Sequence, residues 1–217
     1  MSKIVRMVVE VDVEKCTGCN LCSRVCPTSA FTLRDRLPDE PGKSRKIVEL
    51  ETSACYNAQR CLELCPDDAL TMVELREPFE IRTDTASVDQ QALAELCKKS
   101  GFAPRMMVCP CTGTTMGELA AAILLGADTP DKLSRATGVR TGCSELCMHP
   151  VLSVLAAAGH AGAPKNPEKG YQWYSKTATL FEHVGPDGKF PAELQEAYPT
   201  YSLDREVEDM AKLYKRG

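Results

Sequence analysis

Residues 16–27 read Cys-Thr-Gly-Cys-Asn-Leu-Cys-Ser-Arg-Val-Cys-Pro, so that Cys16, Cys19, Cys22 and Cys26 are followed at once by Pro27. A C-x2-C-x2-C-x3-C-P run lets one tight loop wrap three thiolates around a cubane while the fourth reaches a different cluster. Short spacings and a small neighbour such as Gly18 allow the loop to close, and the proline redirects the chain away. The pattern returns between Cys55 and Pro66, with Cys61 and Cys65 at the offsets of the first run. Each run is followed by a small residue and an apolar stretch, Ala30-Phe31-Thr32-Leu33 and Ala69-Leu70-Thr71-Met72-Val73. This is an internal duplication whose halves cannot each bury a core alone, so they are expected to pack about a pseudo-twofold axis. Val8, Val9, Val11 and Val13, then Phe31 to Leu33 and Ile47 to Leu50, read as strands, the last two separated by the polar turn LPDEPGKS.

Over residues 4 to 78 the chain resembles bacterial two-cluster ferredoxins. The crossed pattern of that family implies a 4Fe-4S cluster on Cys16, Cys19, Cys22 and Cys65. The second run departs from it, because Ala58 stands where the second cysteine belongs. Its C-x5-C-x3-C-P spacing also resembles the iron-sulfur subunits of succinate dehydrogenase and fumarate reductase, which implies a 3Fe-4S cluster on Cys26, Cys55 and Cys61. From the residues alone other outcomes stay open: a 4Fe-4S cluster with Asn57, Gln59, water or Cys97 at the open corner, a zinc ion, or a site that holds nothing.

Four further cysteines, Cys109, Cys111, Cys143 and Cys147, form a C-x-C pair and a distant second pair. Helix starts stabilise thiolates through free N–H groups and the helix dipole. Here a capping box, Thr115 to Glu118, opens a helix ending near Gly126; Thr129-Pro130 opens another ended by Gly138; and a last helix covers part of 144–158. Pro150 is awkward inside that last helix and can mark a fresh start. Residues 106–158 resemble the small helical 2Fe-2S domain of bacterioferritin-associated ferredoxin, which recurs fused to flavin oxidoreductases and nitrite reductases. That likeness implies a 2Fe-2S cluster on the four cysteines. The family ends in C-x2-C, whereas Leu146 occupies that place here and Cys147 follows; positions three and four apart share a helix face, which keeps Cys147 as the ligand. Four thiolates would also suit a structural zinc site.

The fold class expected is α+β: a ferredoxin-like duplicated βαβ cluster domain (1–80), a helical connector (81–105), a small all-helical 2Fe-2S domain (106–160) and an irregular extension (161–217). The connector helix is expected to start at Ser87, with a capping-box spacing to Gln90, and to stop at Gly101. Cys97 lies on its apolar face with Leu93 and Leu96 and reads as a small hydrophobe. The three histidines share no metal-ligand spacing, and His149 reads as a packing residue. The extension holds most of the aromatic residues, Trp173 and Tyr201 among them, and suits either a partner-binding strap or a segment packed back on the chain.

The chain of 217 residues contains 12 cysteines, and its net charge is −4. No basic patch invites nucleic acid, no apolar stretch approaches the roughly 20 residues of a membrane span, and no signal peptide is evident. A cytoplasmic location is expected, where abundant cysteine argues for metal or redox chemistry over disulfides. No dinucleotide fingerprint, P-loop or catalytic triad is found, so no catalytic site of its own is expected. The function anticipated is an iron-sulfur electron-transfer subunit. It would relay single electrons between a flavin-containing oxidoreductase subunit and a ferredoxin or another carrier. The alternatives are a stand-alone polyferredoxin, or a redox sensor or cluster-assembly protein.

Overall fold

The computed structural model describes residues 3–143 and 145–160, and, further on, residues 165–166, 171–172, 189–197, 199 and 205. The first half runs β1 (Lys3–Val11), α1 (Leu21–Val25), β2 (Phe31–Asp35), β3 (Lys46–Leu50), α2 (Arg60–Glu63) and β4 (Leu70–Ile81). That order is βαβ twice over. β1 pairs antiparallel with β4, from Lys3 opposite Ile81 to Val11 opposite Leu70, and the register slips between Val5 and Met7. β2 pairs with β3, Phe31 opposite Leu50, across the polar turn. Each pairing joins one strand from each half, so neither half has a sheet of its own. The core between them holds Val5, Val8, Val9, Phe31, Ile47, Val48, Leu70 and Ile81 together with Cys16, Cys22, Cys55 and Cys61.

The duplication extends to the backbone. Gly18 and Asn57 occupy matching places with φ of 67° and 56°, Asn20 and Gln59 with 66° and 59°, and Ser29 and Asp68 with 54° and 47°. Left-handed conformations at residues other than glycine cost on the order of 1–3 kcal/mol and persist only where surroundings impose them. Their recurrence at matched positions shows two loops folded on one template.

The second half runs α3 (Gln90–Ser100), β5 (Met107–Cys109), β6 (Thr114–Thr115), α4 (Met116–Leu124), α5 (Pro130–Thr137) and α6 (Met148–Ala157). It is not all-helical: β5 and β6 form a short antiparallel hairpin, because the chain must reverse through Cys109-Pro110-Cys111-Thr112-Gly113 to present two thiols, and Gly113 turns at φ 64°. The start of α3 also differs from the expectation at Ser87. Asp89 is the N-cap, its carboxylate accepting from the N–H of Ala92 at 2.8 Å, while Ser87 ends a short 3-10 turn. A carboxylate placed one residue before the helix satisfies a free N–H more directly. Around α4 the capping box is complete, with Thr115 N–H to Glu118 at 2.8 Å and Glu118 N–H to Thr115 Oγ1 at 3.3 Å. Pro150 falls in the first turn of α6, where its missing N–H has no intrahelical partner to lose.

Helix α3 contributes Leu93, Leu96 and Cys97 to the same core as Met116, Leu119, Leu133, Val139, Val151 and Val154. Residues of the connector thus help to build the helical module. Cys97 is fully buried there, away from the second cysteine run, and burial raises its thiol above the usual range. Among the described residues no helix is long and apolar enough to cross a membrane. In the C-terminal segment α7 (Ala192–Ala197) is described and Phe190 is buried. Trp173 and Tyr201 of the expected strap lie outside the described residues.

The two modules meet along α5. A helix ends with carbonyls that have no intrahelical partner, and the last three of α5 receive donors from the first module and the start of the connector. The Tyr56 hydroxyl donates to the Arg135 carbonyl at 2.6 Å, the Thr83 hydroxyl to that of Ala136 at 2.8 Å, and the Lys3 ammonium to that of Thr137. Lys3 also pairs with Glu118 at 3.0 Å, and its side chain is only 7% exposed. In return Arg135 donates to the Thr28 carbonyl at 2.6 Å and the Ser29 carbonyl at 3.0 Å, and pairs with Glu51. Removing a hydroxyl that satisfies such a carbonyl costs about 1–3 kcal/mol. The double replacement Tyr56→Phe with Thr83→Val is therefore expected to loosen the docking of the modules. Amide exchange should speed up in α5 and in the C-terminal part of β4, with the β2–β3 hairpin unchanged.

Candidate metal centres

Cys16, Cys19, Cys22 and Cys65 line one small cavity, closed by Val48, Ala69 and Leu70. Cys26, Cys55 and Cys61 line a second of similar size, with Val9, Phe31, Ala58 and Gln59. The crossing follows from the fold, since Cys26 and Cys65 each leave their own loop just before a strand that pairs with the other half. The near-equal volumes reflect the shared backbone template.

Each cavity supplies N–H donors to sulfur, as a charged cluster requires. The N–H of Ala30 lies 3.3 Å from Cys26 Sγ, that of Ala69 lies 3.4 Å from Cys65 Sγ, and that of Val9 lies 3.4 Å from Cys55 Sγ. The first two are duplicates of one another. Burial pushes the Cys22 and Cys61 thiols, again matching positions, up to about 12. Thiols so placed ionise only against a compensating positive charge, which a metal centre supplies. Among the described residues no three Cys, His, Asp or Glu side chains converge closely enough to hold a single metal ion. Sulfurs set around a cavity without converging on one point fit a polynuclear cluster better than one zinc ion.

The loop of the first site is braced from the β2–β3 turn. Arg36 donates to the carbonyls of Cys16 at 2.7 Å and Val13 at 2.8 Å, and Ser44 donates to Cys16 at 3.1 Å. Gly18 is required by contact as well as by φ, because a Cβ there would sit 2.4 Å from the Lys46 carbonyl oxygen. At the second site the missing thiol leaves Ala58 between Asn57 and Gln59, whose side chains bond each other at 2.9 Å.

In the helical module the β5–β6 turn carries Cys109 and Cys111, and the approach to α6 carries Cys143 and Cys147. The thiols fall into an inner and an outer pair. Cys109 and Cys147 are buried and hydrogen-bonded to one another; Cys111 and Cys143 are exposed, with their sulfurs 3.5 Å apart. The Cys147 thiol donates to Cys109, holding Cys109 well below the usual thiol range and Cys147 above it. Backbone N–H groups of Arg140 and Thr112 aim at Cys109, and those of Glu145 and Leu146 aim at Cys143 and lower it. Leu146 is 68% exposed whereas Cys147 is 1% exposed, so the chain brings the later residue to the other thiols. His149 takes no place among them, stacking edge-on against Phe102 and lying 3.5 Å from the Ser153 hydroxyl.

Arginines that carry no spacing signal complete the sites. Arg140, in a left-handed conformation at φ 72°, is fully buried and pairs with Asp131 at 3.0 Å. Arg60, beside Cys61, donates to the carbonyls of Gly142 at 3.2 Å and Cys143 at 2.8 Å. The only hint in the sequence is position, each arginine lying within a few residues of a cysteine. Gly142 is pressed against Cys111, where a Cβ would stand 2.4 Å from Cys111 Cβ and 2.9 Å from its sulfur. The replacement Gly142→Ala is expected to displace Cys111 and abolish the 2Fe-2S absorption and spin-resonance signature, leaving the signals of the first module in place.

Two family models match the chain, a 4Fe-4S dicluster domain over residues 15–69 and a BFD-like [2Fe-2S] binding domain over residues 107–157. No curated protein and no solved structure matches it. The chain is thus an iron-sulfur protein that joins a 4Fe-4S dicluster ferredoxin domain to a BFD-like 2Fe-2S domain, and domains of these two kinds imply electron transfer.

Proposed function

We propose that the chain is an electron-transfer subunit carrying three iron-sulfur centres between a flavin-containing oxidoreductase subunit and a second carrier such as a ferredoxin. Cys16, Cys19, Cys22 and Cys65 would hold a 4Fe-4S cluster, Cys26, Cys55 and Cys61 a 3Fe-4S cluster, and Cys109, Cys111, Cys143 and Cys147 a 2Fe-2S cluster. Such clusters supply one-electron steps, which can divide the electron pair delivered by a flavin.

The observation that carries this reading is the distribution of exposed thiols. The first site has one exposed thiol, Cys19, and the helical module has two, Cys111 and Cys143, whereas Cys55 and Cys61 of the second site are buried. An array with an accessible edge on each module and a covered site in the first is suited to passing electrons between two partners. A storage or assembly protein would instead need a cluster that can leave. The strained backbone at Asn57 and Gln59 favours a second site that still holds a cluster. An abandoned loop would have no reason to keep two non-glycine residues left-handed.

Ala58 provides the test of cluster type. The oxidised wild-type protein, purified anaerobically, is expected to show a 3Fe-4S spin-resonance signal. Ala58→Cys is expected to remove that signal and raise the iron content to that of two cubanes. A wild type with eight irons in the first module and no such signal overturns the 3Fe-4S assignment. Purification from the native host is expected to bring down a flavin-containing companion at fixed stoichiometry; a chain that purifies alone with all clusters intact favours the polyferredoxin reading instead.

A further inference from the structure

Among the described residues, the hydrogen bonds from the helical module to the cysteine loops of the first module fall on one of its two sites. The Arg140 guanidinium lies 3.4 Å from the carbonyl of Pro27, the residue after Cys26. Arg135 holds the carbonyls of Thr28 and Ser29, and Tyr56, which follows Cys55, reaches back to α5. Arg60, which precedes Cys61, holds Gly142 and Cys143. Cys26, Cys55 and Cys61 are the three thiols of the second site, and each has a sequence neighbour bonded across the interface. The polar groups around the first cavity turn elsewhere: Thr17 bonds Asp67 at 2.6 Å, and the Cys16 carbonyl is taken by Arg36 and Ser44.

Arg140 and Arg60 span the gap in opposite directions. Arg140 starts in the loop before Cys143, with its N–H aimed at the Cys109 and Cys147 sulfurs, and ends behind Cys26. Arg60 starts on the second-site loop and ends on the carbonyl of Cys143. Two guanidinium groups therefore stand between two sets of thiols, that of Arg140 paired with Asp131 and that of Arg60 on the carbonyls of Gly142 and Cys143. A cation near a cluster stabilises its more negative, reduced form, so its removal lowers the reduction potential.

We propose that Arg60 and Arg140 are positioning residues that join the three-cysteine site to the 2Fe-2S site as one electrostatic unit, leaving the four-cysteine site as the outer centre. This deepens the relay reading and rests on it. It orders the centres: with the clusters bound, an electron exchanged between the modules would pass between the site that carries Cys143 and the site of Cys26, Cys55 and Cys61. One electron leaves one centre and reduces the other, with no bond made or broken and no proton required.

The test is a spin-resonance-monitored redox titration of the full chain, with iron and sulfide analysis first confirming that each protein carries its centres. Arg140 is buried, so its replacement also tests folding; Arg60, partly exposed, is the cleaner variant. Arg60→Gln is expected to shift the potentials of the 2Fe-2S centre and the second-site centre to more negative values while the 4Fe-4S centre stays put, and Arg60→Lys to restore them partly. Arg36→Gln, on the loop of the first site, is expected to do the reverse, moving the 4Fe-4S centre alone. In the same samples, Cys61→Ser should slow the spin relaxation of the reduced 2Fe-2S centre, and Cys19→Ser should not. Arg60→Gln that moves the 4Fe-4S potential instead, or moves none, overturns the proposal, as does relaxation that depends on Cys19. A wild type without a second-site cluster overturns the cluster assignment itself, and shows in the iron analysis before any potential is measured.

Discussion

The C-terminal carbonyls of α5 hold the molecule together. A helix of eight residues packed against another module turns its last carbonyls toward that module, where donors from its side chains satisfy them. Tyr56 and Lys3 of the first module and Thr83 at the start of the connector supply them, and Lys3 adds a positive charge where the helix dipole is negative. The same ammonium engages Glu118, the residue that closes the capping box of α4. One side chain of β1 thus ends one helix of the second module and supports the start of another. The second cysteine pair of that module inherits its position from these bonds, because Arg140 and Gly142 follow directly from the end of α5.

Duplication governs the first module in a different way. The two cysteine loops share their left-handed positions, their N–H to sulfur contacts and their cavity size, so the chain solves the same loop-closing problem twice. What differs is the surroundings. One loop is braced by Arg36 and Ser44 from its own domain, and the other is covered by α5 and the arginines of the helical module. The lost thiol at Ala58 lies in the covered loop, where the Asn57 and Gln59 side chains bond one another. Asymmetry in sequence therefore coincides with asymmetry in environment, and both act on the same site.

Much of this was legible in the residues because it depends on local rules. The strands, the hairpin turn, the Thr115 capping box, the Thr129-Pro130 helix start and its Gly138 stop each follow from a few neighbouring side chains. The start of α3 was misplaced because two polar residues compete there, and the carboxylate nearer the helix takes the N–H. The β5–β6 hairpin is not legible in the residues because its strands are too short to show a period, although Pro110 and Gly113 mark a turn there. Cys97 illustrates the opposite case, since Leu93 and Leu96 beside it already marked a buried helix face.

Cysteine spacing by itself marked the two runs of the first module and the two pairs of the second, while the grouping of thiols into sites followed from the resemblance to two-cluster ferredoxins and to the BFD-like domain. The departures at Ala58 and Cys147 were visible in the same way, as breaks in a pattern. Only the tertiary structure decided which site of the first module faces the second. That choice rests on single hydrogen bonds from Tyr56, Arg60, Arg135 and Arg140, between residues far apart in the chain. An arginine beside a cysteine looks the same in sequence whether it faces water or spans two modules. Its role is set by what folding brings to the far end of its side chain.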